Sequence, residues 1–156
     1  MTPALRALEA AGIAFDVCEY THRSDDRPDY GREAAAELGL SEHEVFKTLL
    51  VSTETGELVV AVVPVSCRLS MKAVAAAAGT KRVTMCDPAA AERSTGYVVG
   101  GISPIGQRKR LRTLIDESAV RLDIMYVSGG RRGLDIGLAP AELVALLDAD
   151  LAALIA

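Results

Sequence analysis

Apolar residues recur along the chain with two different periods. Leu5 and Leu8 lie three apart in a segment that ends at Gly12, which predicts a helix over 3–11. Residues 13–20 alternate instead. Phe15, Val17 and Glu19 fall on one side and Ala14, Asp16 and Cys18 on the other, the pattern of a strand. The stretch 21–31 is polar and rich in acids and arginine, and reads as an exposed loop. A second helix is predicted over 32–38, stopped by Gly39, and Ser41 with Glu44 three residues on can cap a short helical turn. Residues 46–53 and 57–63 are two strands, turned by Thr55-Gly56 and closed by Pro64. Ser70 caps a helix that runs to Ala78 and stops at Gly79. A strand over 81–85 precedes Asp87-Pro88, a cap with proline at the first helical position, which opens a short helix to Arg93. After a glycine-rich loop over 96–106, strands are predicted over 112–115, 120–128 and 134–138. Pro140 opens a final helix through Leu147, and 151–154 reads as a last turn.

Strands joined partly by hairpins and partly by helices imply an α+β fold, a mixed and curved, barrel-like sheet flanked by helices. No linker and no repeat divides the chain, so one domain over 1–156 is expected. Half of the residues are hydrophobic, enough for one core. No apolar run approaches the roughly 20 residues that a membrane helix needs, and no signal peptide is evident, so no membrane and a cytoplasmic location are expected. Cys18, Cys67 and Cys86 form neither a disulfide framework nor a zinc knuckle, and read as small residues of a reducing compartment. No His or Cys pair has metal-ligand spacing, so neither a metal nor a cofactor is expected. His22 and His43 sit in polar, acid-rich segments and are given no catalytic role.

Charge changes the picture. The net charge is -4, yet residues 68–112 hold nine basic side chains against only Asp87 and Glu92, so that window carries +7 and the remainder -11. A basic window on an acidic protein is either a solvated face or a footprint for a polyanion. Its densest part, Arg108-Lys109-Arg110, follows a loop with four glycines, Gly96, Gly100, Gly101 and Gly106. Glycine lets the backbone approach a ligand closely, and successive N–H groups can gather around an oxygen anion. A second cluster, Ser128-Gly129-Gly130-Arg131-Arg132-Gly133, lies between two predicted strands and leads to Asp135. Asp135 alternates with Leu134 and Ile136, a solvent-facing position by default; in a pocket it could hold a substrate amine. Lys47 begins a strand between Phe46 and Thr48; at a surface it is an ordinary charge, in a cleft a cation for a carbonyl or phosphate oxygen.

Three segments carry a resemblance. Val45-Phe46-Lys47-Thr48-Leu49, the run from Ser94 through Gly100-Gly101-Ile102-Ser103-Pro104-Ile105-Gly106-Gln107, and Ser128-Gly129-Gly130 through Asp135-Ile136 resemble the signature segments of the YbaK/EbsC family, as do Thr2-Pro3-Ala4 and Glu19-Tyr20. The likeness covers nearly the whole chain; the 21–31 loop departs from it. That family is similar to the editing domain of bacterial prolyl-tRNA synthetases, and its YbaK branch removes cysteine from mischarged Cys-tRNA(Pro). Sister branches remove alanine or other small residues. The resemblance implies a metal-independent deacylase with Lys47, Gly100, Gly101 and Asp135 as catalytic positions. Tyr20, Ser128 and Gly129 would contact substrate, and Arg108, Lys109 and Arg110 the tRNA. It implies the acceptor end of a mischarged tRNA as partner, prolyl-tRNA synthetase as a second one, and attack by the substrate's own thiol. A deacylase of a sister branch, acting on Ala-tRNA(Pro) or another small mischarged residue, and a non-catalytic tRNA-binding module on the same fold are the alternatives.

Overall fold

A computed structural model describes residues 1–21 and 29–156; most of the expected 21–31 loop lies outside the described residues. Local chemistry sets most helix ends. Thr2 Oγ1 accepts from Leu5 N–H at the start of α1 (Pro3–Ala11), with Pro3 in the first turn, and Gly12 ends it in the left-handed conformation. Asp29 caps α2 (Tyr30–Leu38), which starts two residues before the position expected from its apolar pattern. Ser70 caps α3 (Met71–Ala78), Asp87 caps α4 (Pro88–Thr95), and Pro140 opens α5 (Pro140–Leu147). The turn at 41–44 is closed reciprocally: Glu44 Oε1 accepts from Ser41 N–H, and Ser41 Oγ accepts from His43 N–H.

Among the described residues eight strands form two sheets. The larger has the order β4-β2-β3-β5-β8, and the smaller β1-β7-β6. β2 (Phe46–Thr53) and β3 (Leu58–Pro64) make the antiparallel hairpin, and β4 (Val83–Met85) adds antiparallel to β2. β5 (Arg112–Asp116) pairs parallel with β3, and β8 (Asp150–Ala152) parallel with β5. In the smaller sheet β7 (Leu134–Leu138) lies antiparallel between β1 (Asp16–Glu19) and β6 (Met125–Arg131). The sheet is therefore mixed, but it is not closed into one barrel: the two sheets touch through the isolated Val45–Tyr126 bridge.

Two elements differ from the sequence pattern. Residues 117–121 form a 3-10 turn rather than the start of a strand, because Asp116 caps it through Ser118 N–H. Residues 150–152 form β8 rather than a helical turn, because a parallel partner, β5, is available to them.

The larger sheet is apolar on both faces, with period two. Phe46, Leu50, Val60, Val62 and Ile115 meet Met125, Val127, Ile136 and Leu138 of the smaller sheet, with Leu8 of α1 and Leu143 of α5. Val51, Val59, Ala61, Val63 and Leu114 pack instead on Val74 and Ala75 of α3. A third, small cluster sets the site: Ala34 and Ala35 of α2 pack on Val45 and Val65, with Tyr20 and Tyr126 against them. Helix α2 thereby stands over the junction of the two sheets.

Candidate functional site at the junction of the sheets

Beneath α2 lies a cavity of about 420 Å3. Its polar part brings together Tyr20, Lys47, Ser128 and Asp135, residues that are up to 115 positions apart in the chain (20 to 135), and Gly100 also lines it. The pairing scheme explains the convergence. Asp135 on the central strand β7 is the register partner of Cys18 on β1 and of Ser128 on β6. Tyr20 follows β1, where its N–H donates to Gly133 O. Lys47 is on the β2 face that carries Val45 and Leu49, opposite to Phe46, which is buried in the core.

Asp135 is 5 % exposed, which excludes the default reading of a solvent-facing strand carboxylate. Both faces of β7 are covered, so alternation along the strand does not lead to water. Burial pushes its carboxyl pKa up to about 7. Burial, and then the nearby Asp135 charge, push the Tyr20 phenol up to about 12, so Tyr20 stays a neutral donor. Cys18 is raised by burial first and then by Asp135 and Asp16, so it is a poor thiolate.

The glycines divide by role. Val98 to Gly101 form a turn closed by Gly101 N–H donating to Val98 O at 2.8 Å, with Gly100 at φ 89 in the third position. That position of a type II turn needs positive φ, hence glycine. The Gly101 N–H is thus taken, which corrects the expectation that both glycines offer N–H groups to an oxyanion; Gly100 N–H has no acceptor among the described residues. Gly101 is needed for packing: a Cβ there would lie 2.8 Å from Arg131 Cα and 2.9 Å from Arg132 N. Gly129 is also a packing position, since its Cβ would lie 2.7 Å from Leu134 Cγ. The turn is braced from two sides. Val99 N–H donates to Glu92 Oε2 at 2.7 Å, and Arg132 Nε donates to Val99 O at 2.9 Å while its guanidinium lies 4.9 Å from the Tyr30 ring centroid.

Arg108, Lys109 and Arg110 are not on this cavity. Arg108 and Lys109 run along the end of α4 through bonds to Thr95 O and Ser94 O. Lys109 and Arg110 line a separate cavity of about 240 Å3 with Ala7 and Leu147. The sequence reading missed the apolar wall of the main cavity, formed by Met85, Cys86, Pro88, Ala91, Val99 and Ile102. No local pattern marks these residues. It also gave Tyr30 and Arg132 no role; the two glycine clusters, had they been placed face to face, would have pointed to Arg132 as the brace between them.

The comparisons with known proteins agree with this geometry. Residues 28–146 match the family described as aminoacyl-tRNA editing domain. The chain is 37% identical over 153 residues to EbsC of Enterococcus faecalis, provisionally named a Cys-tRNA(Pro)/Cys-tRNA(Cys) deacylase; the match covers 97% of this chain and 91% of that one. A crystal structure of a candidate trans-editing enzyme for prolyl tRNA synthetase superposes with TM-score 0.84 at 25% identity, covering 100% of this chain and 99% of that one. Another, of a protein described as hypothetical, gives 0.86 at 27% identity, with 97% and 98% covered. With most of its length matched and its cavity built from the matching segments, the chain belongs to the aminoacyl-tRNA editing domain family.

Proposed function

We propose that this protein is a trans-editing deacylase that hydrolyses the ester of mischarged Cys-tRNA(Pro). The observation that carries the reading is the convergence of Lys47, Asp135, Ser128 and Tyr20 on one cavity large enough for an aminoacylated nucleoside. The name of the EbsC relative supports the choice of cysteine. An aminoacyl ester is already activated, so positioning and charge stabilisation suffice. The Lys47 ammonium faces the carbonyl or terminal phosphate oxygen, and the Gly100 N–H joins it where negative charge develops. Asp135 receives the substrate ammonium, whose positive charge favours the ionised carboxylate. Tyr20 and Ser128 wall the amino acid. The substrate thiol attacks its own carbonyl: the C–S bond forms, the C–O bond to the ribose breaks, and the thiol proton ends on the ribose oxygen. Water then opens the resulting thiolactone to free cysteine.

Arg108, Lys109 and Arg110 contact tRNA phosphates beyond the cavity. Prolyl-tRNA synthetase is the working partner, a reading supported by the likeness to a candidate trans-editing enzyme for it. We read the chain as one domain, because its central core draws on residues from Ala4 to Leu143, and the reaction as cytoplasmic, where tRNA is charged. Among the described residues no helix is long and apolar enough to cross a membrane. The test is deacylation of Cys-tRNA(Pro), Cys-tRNA(Cys), Ala-tRNA(Pro) and Ser-charged tRNA, each with and without a chelator. Cysteine esters should be cleaved fastest, with or without chelator. Equal rates for alanine and cysteine esters would remove the thiol step, and binding without cleavage would leave only a tRNA-binding module.

A further inference from the structure

Backbone groups of successive residues on a strand point to opposite edges. Thr53 N–H donates to Glu57 O and Val65 N–H to Val45 O, so the odd-numbered residues of 45–53 face β3. Cys86 N–H donates to Leu50 O, so the even-numbered ones face the other edge. On that edge β4 pairs only with residues 51–53, and β6 attaches only through the Val45–Tyr126 bridge and the Tyr126 N–H to Glu44 O bond. Between the two attachments the edge has no strand partner among the described residues. Thr48 C=O and Leu50 N–H find no backbone partner among the described residues, and both residues line the main cavity. Thr48 Oγ1 is buried there without a partner as well.

Buried backbone groups are nearly always paired, so an open pair inside a cavity is a place for a ligand. A carbonyl of one residue and the N–H two residues on, along one edge, form an adjacent acceptor and donor. Their complement is a planar group with a donor beside an acceptor. The N6 amine and N1 of adenine are such a pair, and the nucleotide that carries the amino acid in every tRNA is an adenosine. The apolar wall of Pro88, Ala91, Val99 and Ile102 belongs to the same cavity and offers a surface for a purine. The opening is bracketed by β4 and β6, too short for an added peptide strand, which needs several consecutive pairs.

We propose that Thr48 C=O and Leu50 N–H hold the terminal adenine of the substrate by its Watson–Crick edge, N6 donating to Thr48 O and Leu50 N–H donating to N1. The ester then reaches Lys47 and Asp135 in the same cavity. This rests on the deacylase reading and adds a specificity that side-chain substitution cannot remove, because main-chain groups make it.

The test uses a non-hydrolysable probe, 3′-cysteinylamido-3′-deoxyadenosine, with its base varied, and reads affinity by calorimetry and the Leu50 amide by nitrogen-15 NMR. Purine, which lacks the N6 amine, and 1-deazaadenine, which lacks N1, should each bind about tenfold or more weakly, because each leaves one buried group unpaired. Hypoxanthine, which reverses donor and acceptor, should bind weakest, and 7-deazaadenine should bind like adenine. The Leu50 amide should shift with adenine and not with hypoxanthine. Equal affinity across the bases, no binding of the adenine probe, or a Leu50 shift produced by an extended peptide alone would overturn the proposal. A protein that discriminates the bases in this way yet cleaves no mischarged tRNA would refute the deacylase reading and leave the adenine site standing.

Discussion

Two of the cavities of this protein are built by opposite means. The one beneath α2 gets its polar groups from strands: Lys47 from β2, Ser128 from β6 and Asp135 from β7, with Tyr20 just beyond β1. The other gets Lys109 and Arg110 from an irregular segment between α4 and β5, against the flank of α1 and α5. Strand positions are held by ladder bonds to at least one neighbour, and for Asp135 on the central strand β7 to two, so a side chain there keeps its direction, as chemistry needs. A loop cation needs no such precision, because a phosphate accepts a charge from many angles. Charge density in the sequence marks the second region, whereas substitutions should show that the first carries the reaction.

The largest expected effect is at Lys47. Lys47→Ala should lower single-turnover deacylation of Cys-tRNA(Pro) on the order of a hundredfold or more while the circular dichroism spectrum stays native, because its partly exposed side chain contributes little to the core. Lys47→Arg should not fully rescue, since a planar guanidinium does not replace a compact ammonium. Near wild-type cleavage by the alanine variant would dissolve the distinction between the cavities.

Gly101→Ala follows. Its Cβ would press on the main chain of Arg131 and Arg132, so the turn that presents Gly100 must shift. Overpacking of this kind costs about 1–3 kcal/mol. The melting temperature should fall, and deacylation should drop by more than the folded fraction does. A drop that matches the folded fraction alone would make the turn scaffolding without influence on the site.

Asp135→Asn sharpens the electrostatic side. Burial lifts the folded-state pKa from the ordinary 3.8 to about 7. The neutral carboxyl is tolerated at pH below about 4, and stability is then lost as pH rises through about 7, by up to roughly 4 kcal/mol. The asparagine variant should therefore match wild type at pH 4, melt higher at pH 8, and hydrolyse Cys-tRNA(Pro) about tenfold more slowly at pH 8. A variant that melts lower at pH 8 would mean that the carboxylate has a stabilising partner.

The smallest effect belongs to the basic segment. Arg108→Ala with Lys109→Ala should weaken binding several-fold across all tRNAs at low salt and reduce the slope of log affinity against log salt by roughly one per lost contact. The rate of cleavage at saturating tRNA should not change. Unchanged affinity and slope would make this segment a solvated face.

Much of this protein was legible in its sequence. Caps and stops at Gly12, Ser70, Gly79 and Asp87-Pro88 act within four residues, so they determine helix ends locally. The two strand runs over 46–53 and 57–63, with the Thr55-Gly56 turn between them, determined the central hairpin. The family segments also named Lys47, Gly100, Asp135, Tyr20 and Ser128 before they were seen to share a cavity. Only the tertiary structure decided the rest. Residues 150–152 became a strand because β5 lay open beside them, a partner some 35 residues away that no local window contains. Asp135 became buried, and its carboxyl hard to ionise, because β7 is covered on both faces and flanked by β1 and β6. The apolar wall is drawn from the end of β4, α4, the 98–101 turn and Ile102 after it. The open edge at Thr48 and Leu50 exists because β4 stops at Met85. Both depend on where strands end against each other, and strand pairing is a long-range choice that the sequence of either strand alone does not contain.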